Sequence, residues 1–151
     1  MNIYTLEVFI ISGPTTKAFL KKNPVVSRTV EIRGDQSLEQ LHNVIFKAFN
    51  REDQHLYEFQ IGGKGPNDPK AKRYGLAVYE DMEVEGDVRE TPIDVLHLKK
   101  DEAFGYWFDF GDDWWHQINV ISIENKSSKS KYPRITNRIG QSPPQYVDLD
   151  E

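Results

Sequence analysis

The sequence predicts a single α+β domain: a largely antiparallel sheet with one main amphipathic helix and a short second helix packed on one face. Three observations carry that prediction. Several stretches alternate apolar and polar residues with a period of two, next to turn residues, as hairpin strands do. One segment, Leu38–Asn50, repeats its apolar residues at helical spacing behind a capping sequence. Strands and helices do not alternate along the chain, as a doubly wound parallel sheet would require.

The elements follow in order. Asn2–Ile11 is β-branched and aromatic, with Tyr4, Leu6, Val8 and Ile10 on one face, and Ser12-Gly13-Pro14 ends it. Thr15–Asn23 has room for one short helical turn before Pro24 stops it. Val25–Arg33 alternates as a second strand, turning at Gly34-Asp35. Ser37 and Gln40 have the spacing of a capping box, in which each end satisfies a free backbone amide of the other. Behind it, Leu38, Leu41, His42, Ile45, Phe46 and Phe49 form one apolar stripe. His55–Ile61 is a third strand, with His55, Tyr57, Phe59 and Ile61 on one face. The run Gly62–Pro69 holds too many turn formers for a regular element and reads as a flexible surface loop. Its glycines and lysine do not have the spacing of a phosphate-binding loop, and no Ser or Thr follows the lysine.

Leu76–Tyr79 is a candidate short strand, and the acid-rich Glu80–Glu90 reads as solvated loop. Thr91-Pro92 predicts a short helix to about Leu98, with Thr91 as cap and Ile93, Leu96 and His97 inward. Ala103–Phe110 places Phe104, Tyr106, Phe108 and Phe110 on one face, with Gly105, Trp107 and Asp109 on the other. Gly111-Asp112-Asp113 is the turn of a hairpin whose second strand is Trp114–Glu124. After Asn125 the apolar density collapses. Residues 1–124 are therefore expected to be the domain, and 125–151 an extended polar and basic arm anchored by Tyr132, Pro133 or Tyr146.

Composition excludes whole classes. With 38% hydrophobic and 12% aromatic residues among 151, the chain is too apolar to be disordered. It has no cysteine, which removes disulfides, iron–sulfur clusters, thiolate zinc sites and cysteine nucleophiles together. No apolar run reaches the roughly 18 residues of a membrane span, and no charged-then-apolar leader opens the chain, so a cytoplasmic setting is the expectation. The net charge is −5, and the aromatic hairpin is flanked by Asp101, Glu102, Asp109, Asp112 and Asp113, which repel phosphate.

Several stretches together resemble one family. Tyr4-Thr5-Leu6-Glu7-Val8 opens the match, and Ser37–His42 with Phe46–Phe49 continues it. His55–Phe59 follows. The most specific block is Phe108-Asp109-Phe110-Gly111-Asp112-Asp113-Trp114-Trp115-His116-Gln117-Ile118, and Tyr132-Pro133 and Pro143-Pro144 close the match. This is similar to the plasmid open-reading-frame-3-like family, also described as transposon-passenger or TnpR-like. The resemblance implies a small bacterial or archaeal α+β domain, a mobile-element neighbourhood and no assigned chemistry.

Asp109, Asp112, Asp113 and His116, with Trp115 among them, are the densest group of chemically useful side chains. Three carboxylates and an imidazole within eight residues suit an oxygen-loving divalent cation, or a hydrolytic centre, if the turn gathers them. The competing reading is architectural: Gly111 permits the reversal, Asp112 or Asp113 accepts the turn amides, and His116 bonds an aspartate. The Asp-Phe-Gly triplet stands without any other kinase motif. The four histidines, His42, His55, His97 and His116, read as core-edge residues, although His42 and His55 would meet if the helix crosses the third strand.

Trp107 and Trp115 would form an exposed patch if they fall on the outer face, the usual mark of a partner surface. Nucleic-acid contacts rest on Lys126, Lys129, Lys131, Arg134 and Arg138, with Lys64–Arg73 as a second patch. The leading reading is a binding module without enzymatic activity or cofactor, with a protein partner at the Trp-rich hairpin. The alternatives are a metal-dependent enzyme at the aspartate cluster and a nucleic-acid accessory protein using the basic arm.

Overall fold

The computed structural model describes residues 1–76 and 84–147. Eight strands form one sheet: β1 (Asn2–Ser12), β2 (Ser27–Arg33), β3 (Tyr57–Ile61), β4 (Lys72–Gly75), β5 (Gly86–Asp87), β6 (Ala103–Phe108), β7 (Trp114–Asn125) and β8 (Arg134–Ile139). Their order is β5-β4-β3-β6-β7-β1-β2-β8, antiparallel throughout except for the short β4–β5 pair. Two helices accompany it, α1 (Lys17–Lys22) and α2 (Leu38–Ala48). The architecture is α+β with a mostly antiparallel sheet, and the helices are minor.

Helix α2 forms where its sequence signals lie. Ser37 Oγ accepts the Gln40 amide at 3.2 Å, and Gln40 Oε1 accepts the Ser37 amide at 2.9 Å, so the capping box closes. Leu38, Leu41, His42, Val44, Ile45 and Ala48 are buried against the sheet. The sheet face under α2 carries Leu6, Val8, Val30, Ile32, Phe59, Phe104, Tyr106, Phe108, Trp114 and Ile118, all essentially inaccessible. Period-two alternation puts these on one side and Thr5, Glu7, Glu58, Gln60, Trp107, Trp115 and Gln117 on the other.

The second helix is shorter than the sequence predicts. Ile93–Leu96 is a single 3-10 turn with no side-chain cap. Thr91 Oγ1 donates to the Asp87 carbonyl at 2.7 Å instead of capping, and His97 is exposed in a left-handed conformation. The candidate strand Leu76–Tyr79 and the acidic run from Glu80 lie in part outside the described residues, as do the acids at 148–151.

The stretch read as an extended arm contains β8, an edge strand paired with β2 from Ser27↔Ile139 to Glu31↔Arg134. β2 would otherwise expose a row of unpaired amides and carbonyls. Side chains reinforce the contact. The buried Arg28 donates to the carbonyls of Ala48 (2.9 Å) and Ile139 (3.0 Å) and to Ser142 Oγ (2.9 Å). Gln36 Nε2 donates to the carbonyl of the buried Tyr132 at 2.6 Å. Gln145 Oε1 accepts the amides of Glu52 (2.7 Å) and Asp53 (3.0 Å), so a side chain stands in for a strand partner. Hydrogen bonding holds this polar segment together with a few apolar anchors: Tyr132 and Pro143 are buried, and Ile135 packs against the core.

Candidate functional site

The hairpin between β6 and β7 disperses the predicted aspartate cluster. Asp109 is its organising residue. It sits at φ 63° and accepts the Gly111 and Asp112 amides through Oδ1, at 3.0 and 3.2 Å. The reversal therefore rests on Asp109 and Asp113 (φ 58°), two residues that tolerate the left-handed region, and not on Gly111. Asp113 accepts the indole N–H of Trp107 at 2.9 Å, and Asp112 is exposed. Phe110 leaves the core face and packs against Trp107, with 4.1 Å between ring centroids. Among the described residues no group of three His, Asp or Glu side chains could hold a metal ion.

His116 points away from this turn, into the core under α2. Its Nδ1–H donates to the Tyr106 carbonyl at 3.1 Å, and its Nε2 accepts from Arg51 Nη2 at 2.7 Å. Full burial, then the charge of Arg51, holds its pKa well below the ordinary histidine value. The histidine that meets the aspartate turn is His55, whose Nε2 lies 3.4 Å from Asp109 Oδ2 and 2.8 Å from the Tyr146 hydroxyl. Both contacts use the same nitrogen, so these groups are not a relay in which base and orienting acid occupy opposite ring nitrogens.

His42 and His55 do not pair. His42 accepts from the Tyr106 hydroxyl at Nδ1 (2.6 Å), donates from Nε2 to Gln54 (2.8 Å), and stacks on Tyr57 at 3.6 Å. Burial pushes its pKa down to about 4.

The outer face of the sheet is organised differently. Trp107 and Trp115 lie opposite each other in register, with ring centroids 4.8 Å apart and planes within 3°. Both are half-buried. Beside them is a recess of about 340 Å³ lined by Glu58, Gln60, Asn67, Asp68, Pro69, Arg73 and the two indoles. Glu58 is only 1% exposed, and its carboxylate accepts Arg73 Nη2 (2.6 Å), Arg73 Nε (3.0 Å) and Gln60 Nε2 (2.8 Å).

The glycine-rich loop forms the wall of this recess and is ordered by acceptors. Asp68 accepts the Lys64 and Lys70 amides at 2.8 and 2.9 Å, and Gln60 Oε1 accepts the Asn67 amide at 2.5 Å. The Lys70 and Lys64 amides hold the Asp68 carboxyl below its ordinary range. Gly105 permits the close approach: a Cβ there would fall 2.7 Å from Pro66 Cα and from Gln60 Oε1.

Glu58, Gln60 and Arg73 are functional candidates that reading the apolar face alone misses. Their signal is the polar alternate positions of β3, where a glutamate and a glutamine repeat with the same period as the core residues. Two of the five basic candidates are paired with acids. Arg134 pairs with Glu31 at 3.0 Å, and Lys126 pairs with Glu124 at 3.0 Å. Arg138 lies opposite Arg28 on the β2–β8 ladder, and Lys129 and Lys131 are exposed before it.

Comparison with known proteins places these features. The chain is 26% identical over 127 residues to an uncharacterized protein, y4hQ, of Sinorhizobium fredii; the match covers 82% of this chain and 60% of that one. The chain thus spans about 60% of the length of that curated relative. The crystal structure of MM3350 from Methanosarcina mazei Go1, a protein of unknown function, superposes with a TM-score of 0.72 at 20% identity, covering 95% of this chain and 72% of that one. That likeness is one of fold. Residues 18–148, which include α2, the aspartate turn and both indoles, match the family described as plasmid pRiA4b ORF-3-like protein, and the chain belongs to that family.

Proposed function

We propose that this protein is a small binding module whose ligand docks on the sheet face that α2 leaves uncovered. The carrying observation is the parallel Trp107–Trp115 pair bordering the Glu58–Arg73 recess. Two large, flat, half-buried rings outside the core are the composition of an interaction surface, since tryptophan combines much contact area with little side-chain freedom. The metal-dependent alternative at Asp109, Asp112, Asp113 and His116 loses its geometry, because the imidazole and the carboxylates face different neighbours. The nucleic-acid alternative loses part of its charge to Glu31 and Glu124. The proposal keeps a cytoplasmic setting and, through the transposon-passenger and TnpR-like resemblance, a mobile-element association.

The test is a screen of small cationic, anionic and neutral probes, read from the three indole N–H signals in nitrogen–proton spectra. Ligand-dependent shifts at Trp107 and Trp115, with the inward-facing Trp114 unmoved, support the proposal. A screen in which no probe moves either outer indole overturns it.

A further inference from the structure

The chemistry of the recess narrows what it takes, and this step rests on the binding reading above. We propose that the recess accepts the guanidinium of an arginine side chain presented by an extended basic peptide.

The aromatic surface is the first argument. Trp107 packs against the tilted ring of Phe110 (4.1 Å) and stacks on Trp115 (4.8 Å), while Trp115 has no second ring contact among the described residues. The Trp107 N–H donates to the Asp113 carboxylate at 2.9 Å, which leaves the ring more electron-rich. An electron-rich indole face attracts a cation. Elsewhere the chain uses this contact repeatedly: Arg28, Arg51 and Arg134 lie over Phe49, Phe108, Trp114 and Tyr132 at 4.8–5.4 Å.

Charge is the second argument. The lining carries Glu58, Asp68 and Arg73, an excess of one negative charge. Arg73 is bound by both oxygens of Glu58. Asp68 accepts the Lys64 and Lys70 backbone amides, and these bonds, with the charges of the two lysines, hold its carboxyl below the ordinary range. Asp112 and Asp113 add two exposed carboxylates on the adjoining turn. Counting Lys64 and Lys70 with Arg73, four carboxylates (Glu58, Asp68, Asp112 and Asp113) still exceed three cations on this side by one, so the complementary group is cationic.

Shape is the third. The recess, at about 340 Å³, lies at the small end of the range for ligand sites, roughly 300–1,000 Å³. It opens onto a sheet face, where a peptide backbone can cross while one long side chain enters. A planar, weakly hydrated guanidinium stacks on an indole better than a compact, strongly hydrated ammonium does.

The experiment titrates the protein with four capped hexapeptides that differ only at two positions, carrying arginine, lysine, the neutral isostere citrulline, or glutamate. The readout is the indole N–H shifts, repeated at low and high salt. The expected result is that the arginine peptide shifts Trp107 and Trp115, binds at least tenfold more tightly than the citrulline peptide, and weakens with salt. Trp115→Leu, and separately the milder Trp115→Phe, should reduce binding while circular dichroism stays unchanged. Equal or tighter binding of the citrulline or glutamate peptide overturns the guanidinium assignment and leaves the binding reading standing. If none of the four moves the outer indoles, the guanidinium assignment fails, and the broader probe screen decides the binding reading.

Discussion

Arg51 donates from Nη2 to Nε2 of His116 at 2.7 Å, joining a buried cation to a buried neutral ring with no carboxylate between them. Arg51 packs over Phe49, Phe108 and Trp114, and its Nη1 has no partner among the described residues. Burial pushes its pKa down to about 10. Arg28, also buried, spends its donors on three backbone carbonyls, of Ser27, Ala48 and Ile139, and on Ser142. Of the two arginines, Arg51 is therefore the costly one.

Replacing a buried charge by an apolar side chain of similar volume is often neutral or stabilising. Arg51→Met should leave the denaturation midpoint unchanged or raise it. Arg51→Ala, which also opens a cavity among three aromatic rings, should cost about 3 kcal/mol or more. Urea titration of both variants checks this. A loss of several kcal/mol in Arg51→Met would show that the guanidinium is required where it lies.

The two buried histidines make stability depend on pH. His42 falls to about 4 and His116 well below its ordinary value, both chiefly through burial. The unfolded chain binds these protons near pH 6.5 and the folded chain does not. The stabilisation is thus fully present above pH 6.5. It is lost as the pH falls from there through about 4 for His42 and lower for His116. For His42 alone the loss is on the order of 3 kcal/mol. Melting curves between pH 7 and 4 should show a steeper fall for wild type than for His42→Gln; parallel curves would refute the assignment.

The aspartate turn makes opposite predictions for neighbouring carboxylates. Asp109→Ala removes an acceptor of two amides at a left-handed position and should cost about 1–3 kcal/mol. Asp109→Asn keeps an acceptor and suits that backbone, so it should cost less. Asp112→Asn, at an exposed site, should change stability by no more than about 0.5 kcal/mol. Thermal unfolding with and without Mg²⁺, Mn²⁺ and Zn²⁺ measures all three. A metal-dependent rise in the wild-type midpoint that Asp112→Asn abolishes would restore the metal reading.

At the start of α2, Ser37→Ala removes one half of the capping box and should cost about 1 kcal/mol. Ser37→Asp keeps an acceptor near the helix N-terminus and should recover most of it. Chemical denaturation of the pair is the check.

Features that depend on local periodicity and short-range hydrogen bonds can be read along the chain. The start and capping of α2, the inward faces of β1, β2, β7 and of β6 as far as Phe108, and the placing of Trp107 and Trp115 opposite that core are legible in patterns of two and 3.6 residues, whereas α2 ends at Ala48, two residues before the expected Asn50. Which residues from distant elements meet depends on how the assembled sheet and helix pack. Sequence spacing groups His116 with the aspartates three and four residues before it. A strand sends alternate side chains to opposite faces, so His116 goes to Arg51 while Trp115 goes to the recess. His55, more than fifty residues away in sequence, takes the place beside Asp109. β8 carries too little apolar patterning to be read as a strand. It forms because the open edge of β2 supplies backbone partners, and that edge exists only once the sheet has assembled.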